Sequence, residues 1–258
     1  VVVIEDKCAT HERHDYAIAN MSLSGPCEAV PDYPVIPERL SLPDYPFWVF
    51  DAAQYCEPGY CTGDDELSRS VLAQSRWEGF ETSLVLDILT DTNRAWVLDI
   101  GSHVGWYSTI AARLGHNVLA FDADREHLHL LRMNTRGDNY ALPVESIHCW
   151  IDADTPKMTS PPRGHIRLVK IDLEGSERHA IRMIEPMLHR VDYVLMEVSP
   201  EFDQGDVITP LAEYGFEAFI VPTKGYEGPF SEPRLETGQY PLRSIGPVQR
   251  SVLFARTS

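Results

Sequence analysis

Two acid-and-glycine stretches hold the residues whose types and spacing could do chemistry. In the first, Asp99 stands two residues before Gly101, Gly105 follows four residues later, and Asp122 closes the next apolar run. Strand, glycine turn, helix, strand and terminal acid in that order make half of a nucleotide-binding βαβ unit. The first glycine lets the chain turn sharply off a strand, and the second lets a ligand approach main chain and a helix N-terminus. Asp122 is placed to accept hydrogen bonds from the two hydroxyls of a ribose. In the second stretch, residues 168–178 read L-V-K-I-D-L-E-G-S-E-R. Asp172 ends an apolar run, and strand C-termini are where open α/β sheets bind ligands. Asp172 could therefore position or deprotonate a substrate hydroxyl in the same crevice. Glu174, two residues on, opens a helix, where the dipole alone also favours an acid. Asp172 and Glu174 together could hold a divalent cation whose shell water completes.

The turn does not read as a pyrophosphate site. A dinucleotide fingerprint would be G-x-G-x-x-G, whereas this chain has D-x-G-x-x-x-G with His103 in the middle. An acid two residues before the first glycine suits a ligand with a positive or neutral head, and S-adenosylmethionine, with its ammonium and sulfonium, is such a ligand. Asp99, Gly101, Gly105 and Tyr107, followed by Lys170, Ile171, Asp172, Glu174, Gly175 and Glu177, resemble the two motifs of the FkbM family of S-adenosylmethionine-dependent methyltransferases. The resemblance covers roughly residues 76–200, and it departs at Ser102 and His103, where the family more often has Ala-Asn.

The resemblance implies a seven-stranded, Rossmann-like α/β sheet with helices on both faces. It implies methyl transfer to an oxygen, typically a hydroxyl of a small molecule, sugar or natural product. It also implies that an acid just upstream of the first strand lies close to the cofactor, which makes Glu78 and Glu81 candidates for the methionine ammonium. The loop after the third strand touches adenine in such folds, so Trp150 or Ile151 could flank the ring and Asp152 could accept from its amine. A core tryptophan beside a solvent-facing acid is the plainer alternative. The cofactor set is then Glu78, Asp99, Gly101, His103, Gly105, Asp122, Trp150, Asp152 and Asp172, with Asp172 and Glu174 as the catalytic pair.

The elements that must hold these residues are legible in the hydrophobic pattern. Trp77, Phe80, Leu84 and Ile88 recur at helical spacing within 64–90, with Gly79 interrupting. Asp124 caps a helix that turns Leu128, Leu131 and Met133 inward. Strands are expected at 143–151, 166–171, 191–198 (with Glu197 at its end), 216–221 and 251–255, and a helix at 174–189. The last strand should insert antiparallel beside the one before it. Residues 66–258 form the catalytic domain. The proline-rich segment 223–248 within it lacks periodicity and would overhang the strand ends as a lid.

Residues 1–65 differ from the rest. Twelve acids against three bases give a net of −9, and seven prolines disfavour long helices and central strands. This reads as an irregular extension that packs on the domain, as a substrate cover, padding or an oligomer contact. The whole chain of 258 residues carries −17, which repels a nucleic-acid backbone. It contains no run of 18 apolar residues, and Val1 to Glu5 do not read as a signal peptide. Its five cysteines form no C-x-x-C pair; Cys56 and Cys61 could pair around the Glu57-Pro58-Gly59 turn, but five reduced cysteines in a cytoplasmic protein are expected. The acceptor is read as a small molecule or saccharide, and the oligomeric state is not legible. Two other classes remain: an NAD-dependent oxidoreductase, which the His103 turn disfavours, and a catalytically silent binding or assembly protein that keeps the fold.

Overall fold

The computed structural model describes residues 77–90, 92–135, 144–158, 162–198, 205–221 and 251–256. To these it adds Leu67, Ser70, Arg250 and the backbone of short N-terminal strands. The expected lid at 223–248 lies outside the described residues.

The short strands are β1 (Cys8–Ala9), β2 (Glu38–Leu42), β3 (Tyr45–Val49), β4 (Cys56–Glu57) and β5 (Tyr60–Cys61). β2 pairs with β3 and β4 with β5, so parts of the N-terminal extension are regular hairpins, not irregular chain. β3 lies alongside helix α3, defined below. The main elements are α1 (Gly79–Thr90), β6 (Trp96–Ile100), α2 (Trp106–Arg113), β7 (Asn117–Asp122), α3 (Arg125–Asn134), β8 (Val144–Cys149), β9 (Ile166–Ile171), α4 (Glu177–Ile184), β10 (Val191–Val198), α5 (Gly205–Glu213), β11 (Phe216–Ile220) and β12 (Arg250–Arg256).

One sheet runs β1-β8-β7-β6-β9-β10-β12-β11. β8, β7, β6, β9 and β10 are mutually parallel, and β12 inserts antiparallel between β10 and β11. This is the expected Rossmann-like α/β sheet of seven strands, extended by two-residue β1 antiparallel to β8. The parallel strands are apolar on both faces because helices cover both. Leu98, Ile100, Leu119 and Phe121 face one core with Ala180 and Ile181 of α4 and Leu211 of α5. Val97, Val118 and Leu168 face the other with Val85 and Ile88 of α1 and Ala111 of α2.

Two helix starts differ from the sequence pattern for one reason. Glu78 has φ 40° and Glu174 φ 46°, with Gly175 at 114°. A left-handed residue cannot continue a right-handed helix, so α1 begins at Gly79 and α4 only at Glu177. Pro186 supplies no N–H, and the expected helix tail becomes a 3₁₀ turn over Glu185–Arg190. The cysteine reading is corrected as well. Cys149 is disulfide-bonded, and the register sets Cys8 of β1 directly opposite it. Not all five cysteines are reduced.

Arg256 ties the antiparallel end of the sheet together. Its guanidinium donates to the carbonyls of Val191 and Tyr214, both at 2.9 Å, and to that of Leu188, and it lies 4.7 Å from the centroid of the Phe216 ring. Arg256→Ala removes a charged donor from each of those carbonyls, although that of Leu188 keeps the Val191 amide, and is expected to lower stability by about 2–3 kcal/mol. Urea unfolding of the variant beside the wild type measures it.

Candidate functional site

The parallel strands deliver their C-terminal residues to one edge of the sheet. Gly101 follows β6, Asp122 ends β7, Asp172 follows β9, and Glu197 is next to last in β10. Glu78 reaches the same edge from the start of α1. Among the described residues, the three non-glycine residues with left-handed φ, Glu78, His103 and Glu174, all lie on turns at this edge. Held strain of that kind marks functional sites more often than ordinary turns.

The turn after β6 is tightly self-bonded. The amides of Gly101 and Ser102 both donate to the Phe121 carbonyl at 2.9 Å, that of His103 donates to Asp122 Oδ2 at 2.7 Å, and that of Gly105 donates to the Ser102 carbonyl at 2.9 Å. Four of its N–H groups therefore already have partners on the protein. Its glycines answer to the protein's own packing too. A Cβ on Gly101 would sit 1.8 Å from the Asp172 carbonyl oxygen, and one on Gly105 would sit 2.7 Å from Leu131 Cγ. The sequence reading gave Gly105's vacancy to a ligand, but the Leu131 side chain fills it.

Asp99 does not reach the crevice. It is 1% exposed, and Ser108 Oγ donates to it at 2.6 Å, tying β6 to α2. Burial raises its pKa to about 6 against the pull of Ser108 and Lys170.

Asp122 receives the amides of His103 and Asp124 and faces His127 Nδ1 at 3.1 Å. Burial pushes its carboxyl up, and these contacts more than offset that, so it stays ionised below the usual range. Asp124 caps α3 by accepting from the Glu126 amide at 2.7 Å.

On the other side of the turn stands a network the motif spacing does not display. Lys170 is almost fully buried in β9, with its ammonium 3.0 Å from Asp172 Oδ2 and 5.3 Å from the centroid of the Tyr107 ring. Tyr107 Oη donates to Glu78 Oε2 in a short hydrogen bond. Carboxylate oxygens of Glu78, Asp172 and Glu197 lie within 4.8 Å of one another. Burial alone would lower the Lys170 pKa, but Asp172 and Glu78 raise it above the usual lysine value. Burial raises Asp172 as well, yet Lys170 brings it below the usual range. Glu197, beside ionised Asp172 and desolvated, is pushed up to about 8. At neutral pH, Asp172 and Glu197 thus form a hydrogen-bonded pair holding one proton.

Glu174 is not brought to this cluster. It is exposed, while Glu177 is buried and accepts from the Gly175 amide at 2.8 Å to close the turn. The metal pairing of Asp172 with Glu174 is therefore not assembled. The carboxylates that do converge are Glu78, Asp172 and Glu197, with Lys170 paired to Asp172.

Beyond β8, Trp150 is 69% exposed, whereas Ile151 is buried in the core. Asp152 shapes its own turn, accepting from the Asp154 amide at 2.9 Å. Arg182 of α4 clamps that turn through the carbonyls of Asp152, Ala153 and Thr155.

The sequence reading gave no role to His127, counted Lys170 only as part of a motif, and put Glu197 at the ligand edge without a role. A cation inside the apolar strand I-R-L-V-K-I, and an acid late in V-D-Y-V-L-M-E-V, are the signals that could have found the last two, since unpaired charges are rarely buried.

No protein-family model matches this chain, and no curated protein matches it in sequence. Solved structures resemble it weakly. An rRNA methylase from Streptococcus thermophilus is 15% identical over 71% of this chain and 98% of its own, with a TM-score of 0.46. A magnesium protoporphyrin IX methyltransferase from Synechocystis PCC 6803, with bound S-adenosylmethionine, is 13% identical over 79% of this chain and 88% of its own, with a TM-score of 0.45. A precorrin-6y C5,15-methyltransferase from Geobacter metallireducens GS-15 is 14% identical over 68% of this chain and 86% of its own, with a TM-score of 0.41. Likeness at this level carries no argument about activity or substrate, and the functional reading rests on the geometry of the site.

Proposed function

We propose that this chain is an S-adenosylmethionine-dependent methyltransferase that methylates a hydroxyl on a small molecule, sugar or natural product. The observation that carries the reading is the charge and bonding state of the crevice. The amides of Gly101, Ser102, His103 and Gly105 are engaged within the protein, so the turn offers little to a pyrophosphate. Around it stand Glu78, Asp122, Asp172 and Glu197, with Lys170 bound to Asp172. Such a site favours a ligand that is cationic at one end and a neutral nucleoside at the other, and it disfavours a dinucleotide. The resemblance of Lys170 to Glu177 to the FkbM motif agrees with this reading, and the acceptor we infer is a saccharide or other small molecule.

When bound, S-adenosylmethionine supplies an activated methyl group for in-line displacement. Asp122 would accept from its ribose, and Glu78, fixed by Tyr107, would face its ammonium. Asp172, oriented by Lys170, would hold the acceptor hydroxyl beside the Asp172–Glu197 pair, where the proton lost from oxygen can be taken up.

Calorimetric titration of S-adenosylhomocysteine tests the reading. Micromolar binding by the wild type, weakened at least about tenfold in Asp122→Ala by the loss of charged hydrogen bonds, is the expected result. Absence of binding by the wild type would overturn it.

A further inference from the structure

A carboxylate can accept about four hydrogen bonds, and three positions on Asp122 are already filled. The Asp124 amide donates to Oδ1 at 2.8 Å and the His103 amide to Oδ2 at 2.7 Å. Both belong to the main chain of the turns that form the crevice, so neither can leave without unmaking them. The third partner is a side chain. His127, in the first turn of α3, sets Nδ1 3.1 Å from Oδ1, and its ring lies against that of His103 with centroids 3.9 Å apart. A ribose presents two neighbouring hydroxyl donors. With one position open, Asp122 can serve one of them but not both.

We propose that His127 is a latch on the nucleoside site, competing with the ribose diol for Asp122 and swinging away when an adenosyl ligand binds. This rests on the reading of Asp122 as the ribose acceptor. His127 acts through Asp122, so it is a positioning residue. Its side chain is 20% exposed, which leaves it a way out toward solvent, whereas the two amides have none. Departure breaks the contact with Asp122 and the tilted ring contact with His103, and both losses are subtracted from the affinity for the ligand.

The test compares wild type, His127→Ala and His127→Phe by calorimetry, after thermal melts have shown each to be folded. Phenylalanine keeps a ring against His103 and removes only the donor. The probes are S-adenosylhomocysteine, 5′-methylthioadenosine and the 2′,3′-dideoxy analogue of the latter. Both variants are expected to bind the first two about fivefold more tightly than wild type, and the dideoxy analogue equally in all three proteins. Unchanged or weaker binding in both variants overturns the latch. So does a gain in the alanine variant alone, or one that persists with the dideoxy analogue. Absence of binding by all three proteins removes the adenosyl reading and the latch with it. Binding of S-adenosylhomocysteine without these differences removes the latch and leaves that reading intact.

Discussion

Gly101→Ala is expected to cost about 3–5 kcal/mol of stability and to abolish binding of S-adenosylhomocysteine. Two independent penalties meet at this position. Its φ is 81°, a left-handed conformation that a side chain disfavours by about 1–2 kcal/mol. The new Cβ would also lie 1.8 Å from the Asp172 carbonyl oxygen and 2.8 Å from its carbon, and a backbone group cannot move aside as a flexible side chain can. The Asp172 amide is anchored to the Ile100 carbonyl at 2.9 Å, so relief must push the β6 turn and the end of β9 apart. That movement displaces Asp172, and with it the ion pair to Lys170. Gly105→Ala gives the control. It shares the left-handed φ, at 88°, but its obstacle is the Leu131 side chain. Leu131 is itself fully buried, so relieving that contact costs something as well, and a smaller loss of about 2–3 kcal/mol is expected there. Denaturant unfolding of both variants decides the matter, and equal losses would show that steric conflict with Asp172 is not what fixes glycine at 101.

How much of this molecule could be read from the chain depends on whether the signal was local. The strands at 166–171 and 191–198 appear at the expected residues because parallel strands covered on both faces are mostly apolar runs with sharp ends, broken here by Arg167, Lys170, Asp192 and Glu197. Asp124 as the cap of α3 is equally local, since side chain and amide are two residues apart. The start of α1 was not legible: Glu78 looks like a helix acid, yet it has a left-handed φ, and the partner of its carboxylate, Tyr107, is 29 residues away. The strand that faces Cys149 was hidden in the same way, because β1 comes from the far end of the chain.

The candidate site divides along the same line. The positions of Gly101, Asp122 and Asp172 at strand ends follow from the pattern of apolar runs. Their partners do not. Glu78, Asp172 and Glu197 are scattered along the chain and meet only because β9 and β10 are neighbours and α1 packs over them. Glu174, next but one to Asp172 in sequence, is carried away by the turn that starts at its own positive φ. Proximity in sequence favoured Glu174 over Glu197, and the sheet reverses that order in space.

Lys170→Met is expected to be the most damaging change in the side-chain network, at about 3–5 kcal/mol near neutral pH. Methionine fits the volume of the buried stem, so packing is nearly conserved and the loss is electrostatic. Without the ammonium, Asp172 and Glu78 share a desolvated crevice with no cation beside them. The pH dependence identifies the cause. In the wild type the Asp172 pKa is lowered on folding, so its contribution to stability is present above the unfolded carboxyl value near 3.8 and is lost as pH falls through the lower folded value. Glu197 has the opposite sign: its pKa rises to about 8 on folding, so its protonated form stabilises the fold at acid pH and that stabilisation is lost as pH rises toward 8. Removing Lys170 abolishes the Asp172 contribution and raises the pKa of Glu197 further. The deficit of the variant should therefore be largest at pH 7–8 and shrink as pH falls toward about 4, where the carboxyls protonate. Urea unfolding of both proteins at pH 7.5 and 4.5 gives the comparison. A deficit that does not change between the two would mean that Lys170 contributes packing and not charge. In that event Asp172 would need another source for its ionised state, and the one-proton pair with Glu197 would lose its basis.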